Sequence, residues 1–194
     1  MPSNLARMDV LVPTHPITLD EYLALDLLDE WGNPLSTELV QGVVIVSPPA
    51  GGPHQVAAAE FAAMLIAAFP PGHRVLGGGG WIVDDSPLAT FRVPDIMVVT
   101  DDQARETWMI APPLLAVEVV SRRSSVERDL VAKRREYAEA GCAHYWVLFP
   151  DTPELIRFRL DDTAYVEAGR TTGRRRVRIT EPFAVTIDLA RVTV

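Results

Sequence analysis

The alternation of apolar and polar positions predicts an order of helices and strands along the chain. Thr18 and Glu21 have the spacing of a capping box, which predicts the start of a helix over residues 18–30. The alanine-rich segment 53–69 predicts a second helix, and 125–140 predicts a third that ends at a glycine. Strands are predicted over 37–49 with a turn at Gly42, over 74–85 with glycines at its centre, and over 90–100, 114–121, 144–150, 154–160, 164–170, 175–180 and 184–192.

One domain of mixed α/β class accounts for this order, with a central sheet and helices packed on it. The chain has 194 residues, enough to bury a substantial core, and it contains no repeat or low-complexity tract. We therefore expect a single domain over 1–194, in which residues 1–15 form a partly ordered N-terminal extension.

Composition is that of an ordinary globular protein, which we expect in the cytoplasm. No segment has the length of a membrane span, and the N-terminus lacks the apolar core of a secretory signal. Cys142 is the single cysteine, which excludes an internal disulfide and a zinc cluster.

Charge is unevenly distributed along the chain. The net charge of −8 argues against a protein that coats nucleic acid non-specifically. Residues 170–178 nevertheless carry five arginines and no acid, so a polyanion can be held locally. The alternative is that these arginines form a solvated surface.

Two acids interrupt runs of strand-forming apolar residues. Asp95 lies in RVPDIMVVT, residues 92–100, and Glu118 lies in LLAVEVVS, residues 114–121. Burying an isolated carboxylate is costly unless a cation or hydrogen-bond donors compensate its charge. Both acids are therefore expected to have such partners.

A lysine lies on the apolar face of the predicted helix 125–140. It is the only lysine in the protein, against 17 arginines, and its compact ammonium can direct one charge at a small target. The alternative is that the side chain extends past its neighbours to solvent. The face that contains it consists of Val126, Leu130, Lys133, Tyr137 and Ala140, with Asp129 at its margin.

Asp95, Glu118 and Lys133 would together supply the parts of a phosphodiester hydrolysis site. Two carboxylates offer the oxygen ligands that suit Mg²⁺ or Mn²⁺. Such an ion polarises a phosphoryl group and lowers the pKa of water, and a lysine can orient that water or stabilise the transition state.

Several ordered motifs resemble those of the Uma-type restriction endonuclease family, a branch of the PD-(D/E)XK nuclease superfamily. They are VPDIMVV, LLAVEVVS and RDLVAKRREYAEAGCAHYWVLFP, with STELVQGVVIVSPP before them and FAVTIDLARV after them. The resemblance covers about residues 16 to 192 and implies a restriction-endonuclease-like fold, in which a central mixed sheet is flanked by helices.

The resemblance also implies roles for individual residues. Asp95 and Glu118 would be metal ligands and catalytic residues together with Lys133, and the Val119 carbonyl would be a further ligand. Val120 occupies the usual place of the lysine, which would have moved to the helix. The supporting residues would be Glu38, His54, Asp129 and Tyr137.

Three functions follow as hypotheses. The first is a Mg²⁺-dependent DNA endonuclease that acts as a homodimer, because two sites cut both strands most simply. The second is a nuclease-like binding or regulatory module without strong catalysis, and the third is a hydrolase of another phosphodiester. RNA is an alternative substrate to DNA in the first hypothesis.

Overall fold

The computed structural model describes residues 13–29, 31–120 and 124–193, and it leaves the side chains of 124–129 outside the description. Its contacts divide the chain into two compact units: residues 1–49 with 84–92, and residues 50–83 with 93–194. We call them unit 1 and unit 2. The expectation of one domain over 1–194 stays a prediction, and the expectation for residues 1–15 falls almost wholly outside the described residues.

Unit 1 is built on the predicted strand pair that turns at Gly42. Strands β1 (Ser36–Val40) and β2 (Val43–Ser47) pair in antiparallel register, with Val40 opposite Val43. Gln41 and Gly42 both have positive φ, the conformation of a two-residue hairpin turn. The predicted turn is confirmed.

The first helix is much shorter than the predicted 18–30. Helix α1 covers Leu19–Leu23, and its capping box of Thr18 and Glu21 is present as predicted. Beyond it, Asp29 Oδ1 accepts hydrogen bonds from the backbone N–H groups of Trp31 and Asn33. This local turn competes with helix formation at the end of the predicted segment 18–30.

Unit 2 contains a mixed six-stranded sheet in the order β10-β9-β8-β7-β6-β3. Strands β7 and β8 are parallel, and the other neighbouring strands whose register is resolved are antiparallel. These six strands are β3 (His73–Gly77), β6 (Ile96–Thr100), β7 (Leu115–Val119), β8 (His144–Phe149), β9 (Glu154–Asp161) and β10 (Ala164–Thr172).

Each face of this sheet has its own apolar core. Phe61 and Leu65 of α2 (Gly52–Ile66) pack with Val117 and Trp146 on one face. Tyr137 of α3 (Ser124–Glu139) belongs to a separate cluster. Within β7, Leu115, Val117 and Val119 join the first cluster and Ala116 joins the second, so alternation directs Glu118 toward the α3 side.

Two predicted strands are each divided. The segment 74–85 becomes β3 and β4 (Trp81–Asp84), separated by glycines rather than continuing through them. The segment 90–100 becomes β5 (Thr90–Arg92) and β6, because the chain breaks pairing around Pro94. The other predicted elements are confirmed to within a few residues, including β11 (Arg176–Ile179), β12 (Val185–Asp188) and the glycine end of α3 at Gly141.

Within the described residues, no helix combines the length and apolar character needed to cross a membrane.

Candidate active site

Asp95 lies immediately before β6, at one end of this interior strand of the unit 2 sheet. Ile96 pairs with Val117 of the antiparallel neighbour β7, and Asp95 Oδ2 accepts a hydrogen bond from the Val119 N–H at 2.7 Å. The side chain of Asp95 is 25% exposed, so it reaches solvent more than an acid inside a continuous strand would. The expectation that Asp95 is buried within a strand is therefore corrected.

Glu118 is a buried acid of β7, as the sequence predicts. Its Oε2 lies 3.1 Å from Lys133 Nζ, and its Oε1 accepts a hydrogen bond from the Tyr137 hydroxyl at 2.9 Å. Lys133 and Tyr137 are four residues apart on α3, one helical turn, so both reach the same carboxylate. Lys133 is itself buried, which excludes the alternative in which it extends to solvent.

Tyr137 is held in place by aromatic neighbours. Its ring lies 5.0 Å from the Trp81 ring and 5.4 Å from the Tyr145 ring, with the latter pair edge-to-face. Such packing restricts the tyrosine hydroxyl to one direction, toward Glu118. The aromatic core thus determines the orientation of the Glu118 carboxylate.

His54, in the first turn of α2, contacts the other acid. Its Nε2 donates to Asp95 Oδ1 at 3.1 Å. This hydrogen bond, followed by the negative charges of Asp95 and Glu118, raises the pKa of His54, while partial burial opposes the shift. The negative charge of Glu118 thus also favours the protonated form of His54.

The oxygens of both carboxylates therefore have protein donors: the Val119 N–H and His54 for Asp95, and Lys133 and Tyr137 for Glu118. Either a cation or hydrogen-bond donors were expected to compensate the acids, and these protein donors already provide that compensation. Each oxygen retains further acceptor capacity, and the pair offers the hard ligands that Mg²⁺ and Mn²⁺ use. The donor set fits such an ion.

Among the described residues, no group of three or more His, Cys, Asp or Glu side chains is arranged to hold a metal ion by itself. A divalent ion on Asp95 and Glu118 would therefore complete its coordination with water or substrate oxygens, a common arrangement for Mg²⁺.

The structure describes the other predicted site residues to different extents. Glu38 lies on β1 of unit 1, where its Oε2 accepts from Arg92 Nη1 at 2.8 Å. Asp129 lies on α3, but its side chain is outside the described part. The roles of Glu38, of Asp129 and of the Val119 carbonyl as a metal ligand stay predictions.

Arg92 is the partner of Glu38, and the sequence analysis did not identify it. It is almost fully buried in β5, and its ion pair with Glu38 compensates both charges inside unit 1. The segment FRVPD could have indicated this pair, because its arginine lies beside an aromatic residue in a predicted strand and a buried arginine requires an acidic partner.

Comparison of the sequence with known proteins identifies its family. The model of the Uma2 family, described as "Putative restriction endonuclease", matches residues 19–191. The chain belongs to this family. No curated protein is similar enough to count as a match.

A solved structure supports the fold independently. It is a protein from Anabaena variabilis described as "a putative nuclease belonging to DUF820", with a TM-score of 0.71 and 18% sequence identity. The alignment covers 91% of this chain and 97% of that one. The mixed α/β, nuclease-like fold class is therefore confirmed.

Proposed function

We propose that the protein is a Mg²⁺-dependent DNA endonuclease of the PD-(D/E)XK type. The observation that carries the proposal is the contact of Lys133 Nζ with Glu118 Oε2 at 3.1 Å, beside a second carboxylate bonded to the adjoining Val119 N–H. Membership of a restriction endonuclease family supports a nuclease function. The metal, DNA as substrate and the residue roles belong to the proposal.

The position of the lysine supports this assignment. Val120 occupies the usual motif position and is buried with the apolar cluster that contains Tyr137. Lys133 reaches Glu118 from α3 instead, so an ammonium group is available at the acid although the motif position is apolar. The chemistry depends on where the charge lies and not on which element carries it.

In the proposed mechanism, Asp95 and Glu118 would hold the divalent ion. When bound, the ion would polarise the phosphodiester and lower the pKa of a water molecule. Lys133 positions Glu118 and donates hydrogen bonds to the attacking water or a phosphate oxygen. Tyr137 fixes the Glu118 carboxylate, and His54 fixes Asp95.

Cleavage of supercoiled plasmid tests the proposal. Wild-type protein with Mg²⁺ or Mn²⁺ is expected to nick the plasmid, and EDTA is expected to stop it. Lys133→Met, which keeps most of the aliphatic stem, is expected to lower the rate by at least about 100-fold, in the range for loss of a charged transition-state donor. Arg135→Met on the exposed side of α3 is the matched control and should keep the wild-type rate.

Equal nicking by wild type and Lys133→Met would show that the assigned site is wrong. Cleavage of RNA but not of DNA would overturn the substrate assignment while leaving the metal-dependent chemistry in place.

A nuclease-like binding or regulatory module is the second candidate function. The observation that favours it is that protein donors already compensate both carboxylates. This candidate predicts metal-independent binding of nucleic acid or protein with no cleavage across a broad substrate panel, a result opposite to that expected for the nuclease.

A homodimer in the cytoplasm remains part of the proposal. Two copies of the site would cut both strands of DNA, and light scattering of the purified protein should give twice the mass of one chain. A monomeric mass would contradict the dimer while leaving the single-strand nicking chemistry untouched.

A further inference from the structure

A cleft of about 340 Å³ lies in unit 2, one strand away from the candidate active site. Its lining is partly apolar and carries one cation and one anion. This volume is at the lower end of the range for small-ligand sites, closer to one nucleotide than to a duplex. The accessible lining consists of Pro53, Pro153, Thr193, Arg174 and Asp151, and Pro150 and Val192 lie buried beneath it.

Two connections relate this cleft to the site, one along the chain and one through strand pairing. Pro53 precedes His54 in α2, so their Cα atoms are about 3.8 Å apart. On the other side, Val119 pairs with Leu148 of the parallel strand β8, and Pro150 follows two residues later, about 7 Å further along extended chain. Two residues that line the cleft are therefore close along the backbone to His54 and Val119, which contact Asp95.

Arg174 is carried on a turn whose backbone is bonded on two sides. The Gly173 N–H donates to the Pro153 carbonyl at 2.8 Å, and the Leu189 N–H donates to the Arg175 carbonyl at 3.0 Å. These bonds hold the turn between the β8–β9 connection and β12. The Arg174 side chain therefore extends from a well-anchored backbone.

Neither charged residue of the cleft has an oppositely charged partner within the described part of the chain. Arg174 and Asp151 form no ion pair or side-chain hydrogen bond there, whereas Arg170, Arg176 and Arg191 of the same region each pair with an acid. Arg174 can therefore bind a phosphate without first losing an acidic partner.

We infer that the cleft is a subsite for one unpaired nucleotide next to the scissile phosphodiester. This inference rests on the proposed nuclease function, which identifies the neighbouring carboxylates as the place of cleavage. Arg174 binds the phosphate, the accessible Pro53, Pro153 and Thr193 contact the base and sugar, and Asp151 accepts hydrogen bonds from base N–H groups. A paired base cannot enter a cleft of this size without leaving its stack, so the subsite favours single-stranded or locally opened substrate.

Binding of a short fluorescein-labelled single-stranded oligonucleotide, measured by anisotropy in EDTA, tests the inference without any cleavage. Arg174→Ala is expected to weaken binding by about tenfold, the loss typical of one charge-assisted hydrogen bond. It should also lower the slope of log affinity against log salt by about 0.7, the value for one phosphate contact on a single strand.

Arg175→Ala is the matched control, because Arg175 is the exposed neighbour of Arg174 and does not line the cleft. It should keep wild-type affinity. The duplex of the same sequence should bind more weakly and show little dependence on Arg174. Equal losses in the two variants, or equal losses of Arg174→Ala on duplex and single strand, would overturn the subsite.

A titration of the protein with thymidine 5′-monophosphate, followed by NMR, locates the ligand. The Thr193 methyl resonance should shift with the nucleotide and not with inorganic phosphate alone, because only the nucleotide has a base and sugar. Shifts with phosphate alone would reduce the cleft to an anion site and overturn the inference.

Failure of this subsite and failure of the nuclease proposal are distinguishable. Loss of oligonucleotide binding in Arg174→Ala together with an inactive wild-type protein would support the subsite and refute the nuclease. Metal-dependent nicking with identical binding by Arg174→Ala and Arg175→Ala would support the nuclease and refute the subsite.

Discussion

The Glu118–Lys133 pair is almost entirely removed from water, with side-chain exposures of 7% and 8%. A buried ion pair contributes little net stability, because desolvation offsets the attraction between its charges. Removing one partner is different, since the other charge then stays buried without full compensation. Stability and catalysis are therefore linked at this pair.

Lys133→Met is expected to lower the free energy of unfolding by about 3–5 kcal/mol, measured by urea denaturation. The Tyr137 hydroxyl still donates to Glu118 in the variant, but a neutral donor compensates the carboxylate only in part.

The double variant Glu118→Gln with Lys133→Met should recover most of that loss, because both charges are then absent. It should stay inactive in plasmid nicking. If the double variant is as unstable as Lys133→Met, loss of packing rather than an uncompensated charge explains the destabilisation.

His54 is expected to make stability depend on pH. The hydrogen bond to Asp95 raises the pKa of His54 in the folded protein, so the folded state binds the proton more tightly than the unfolded state. The stabilisation from this proton is fully present below the pKa of histidine in the unfolded chain, about 6.5. It is lost as the pH rises through the pKa of His54 in the folded protein.

The measurement is urea denaturation of wild type and His54→Gln at pH values below and above this range. The wild-type advantage should be larger at the lower pH, by about 1 kcal/mol or less because the contact is partly exposed to solvent. An advantage that grows toward higher pH would contradict the assigned direction of the pKa shift.

The β1–β2 hairpin depends on a glycine for two separate reasons. Gly42 has a φ of +77°, and an added Cβ would lie 3.1 Å from both the Ile17 carbonyl oxygen and the Pro16 Cβ. The Gly42 backbone also joins the hairpin to its neighbours, donating to the Ala89 carbonyl and accepting from the Ile17 N–H. Conformation and close approach therefore both require glycine.

Gly42→Ala is expected to destabilise unit 1 by about 2–3 kcal/mol, since it combines left-handed backbone strain with a steric clash. Gly32→Ala is the matched control, because Gly32 has a φ of +82° and nothing within 4 Å of the added Cβ. The control should cost about 1 kcal/mol in the same urea measurement. Equal losses would show that the contacts around Gly42 relax easily.

The protein as a whole should become more stable when the proposed ion binds, because a ligand that binds only the folded state shifts the unfolding equilibrium. At about ten times its Kd, the ion adds about 1.4 kcal/mol, seen as a rise in Tm on addition of Mg²⁺ or Mn²⁺. Asp95→Asn should abolish this rise.

Asp101→Asn is the control, since Asp101 follows the opposite end of β6 and pairs with Arg74. It should keep the metal-dependent rise in Tm. A rise that persists in Asp95→Asn would mean that the ion binds elsewhere on the molecule.

The sequence alone determined most of the helices and strands, and it showed that the acids need cations or hydrogen-bond donors as partners. Strong apolar periodicity predicted the sheet strands, the Gly42 turn and the inward position of Lys133, because burial imposes these patterns on any sequence that folds this way. Local competition was not visible in the apolar periodicity: a turn at Asp29 occupies the end of the predicted helix 18–30, and Pro94 divides the predicted strand 90–100 so that Asp95 lies before β6.

Only the tertiary structure decided which donors meet which acids. Glu118 and Lys133 are 15 residues apart, and His54 is 41 residues from Asp95, so their contacts depend on strand register and on how α2 and α3 pack on the sheet. The pairing of Arg92 with Glu38 and the cleft beside Arg174 likewise bring together distant segments. Such contacts follow from long-range packing, and periodicity along the chain carries only local information.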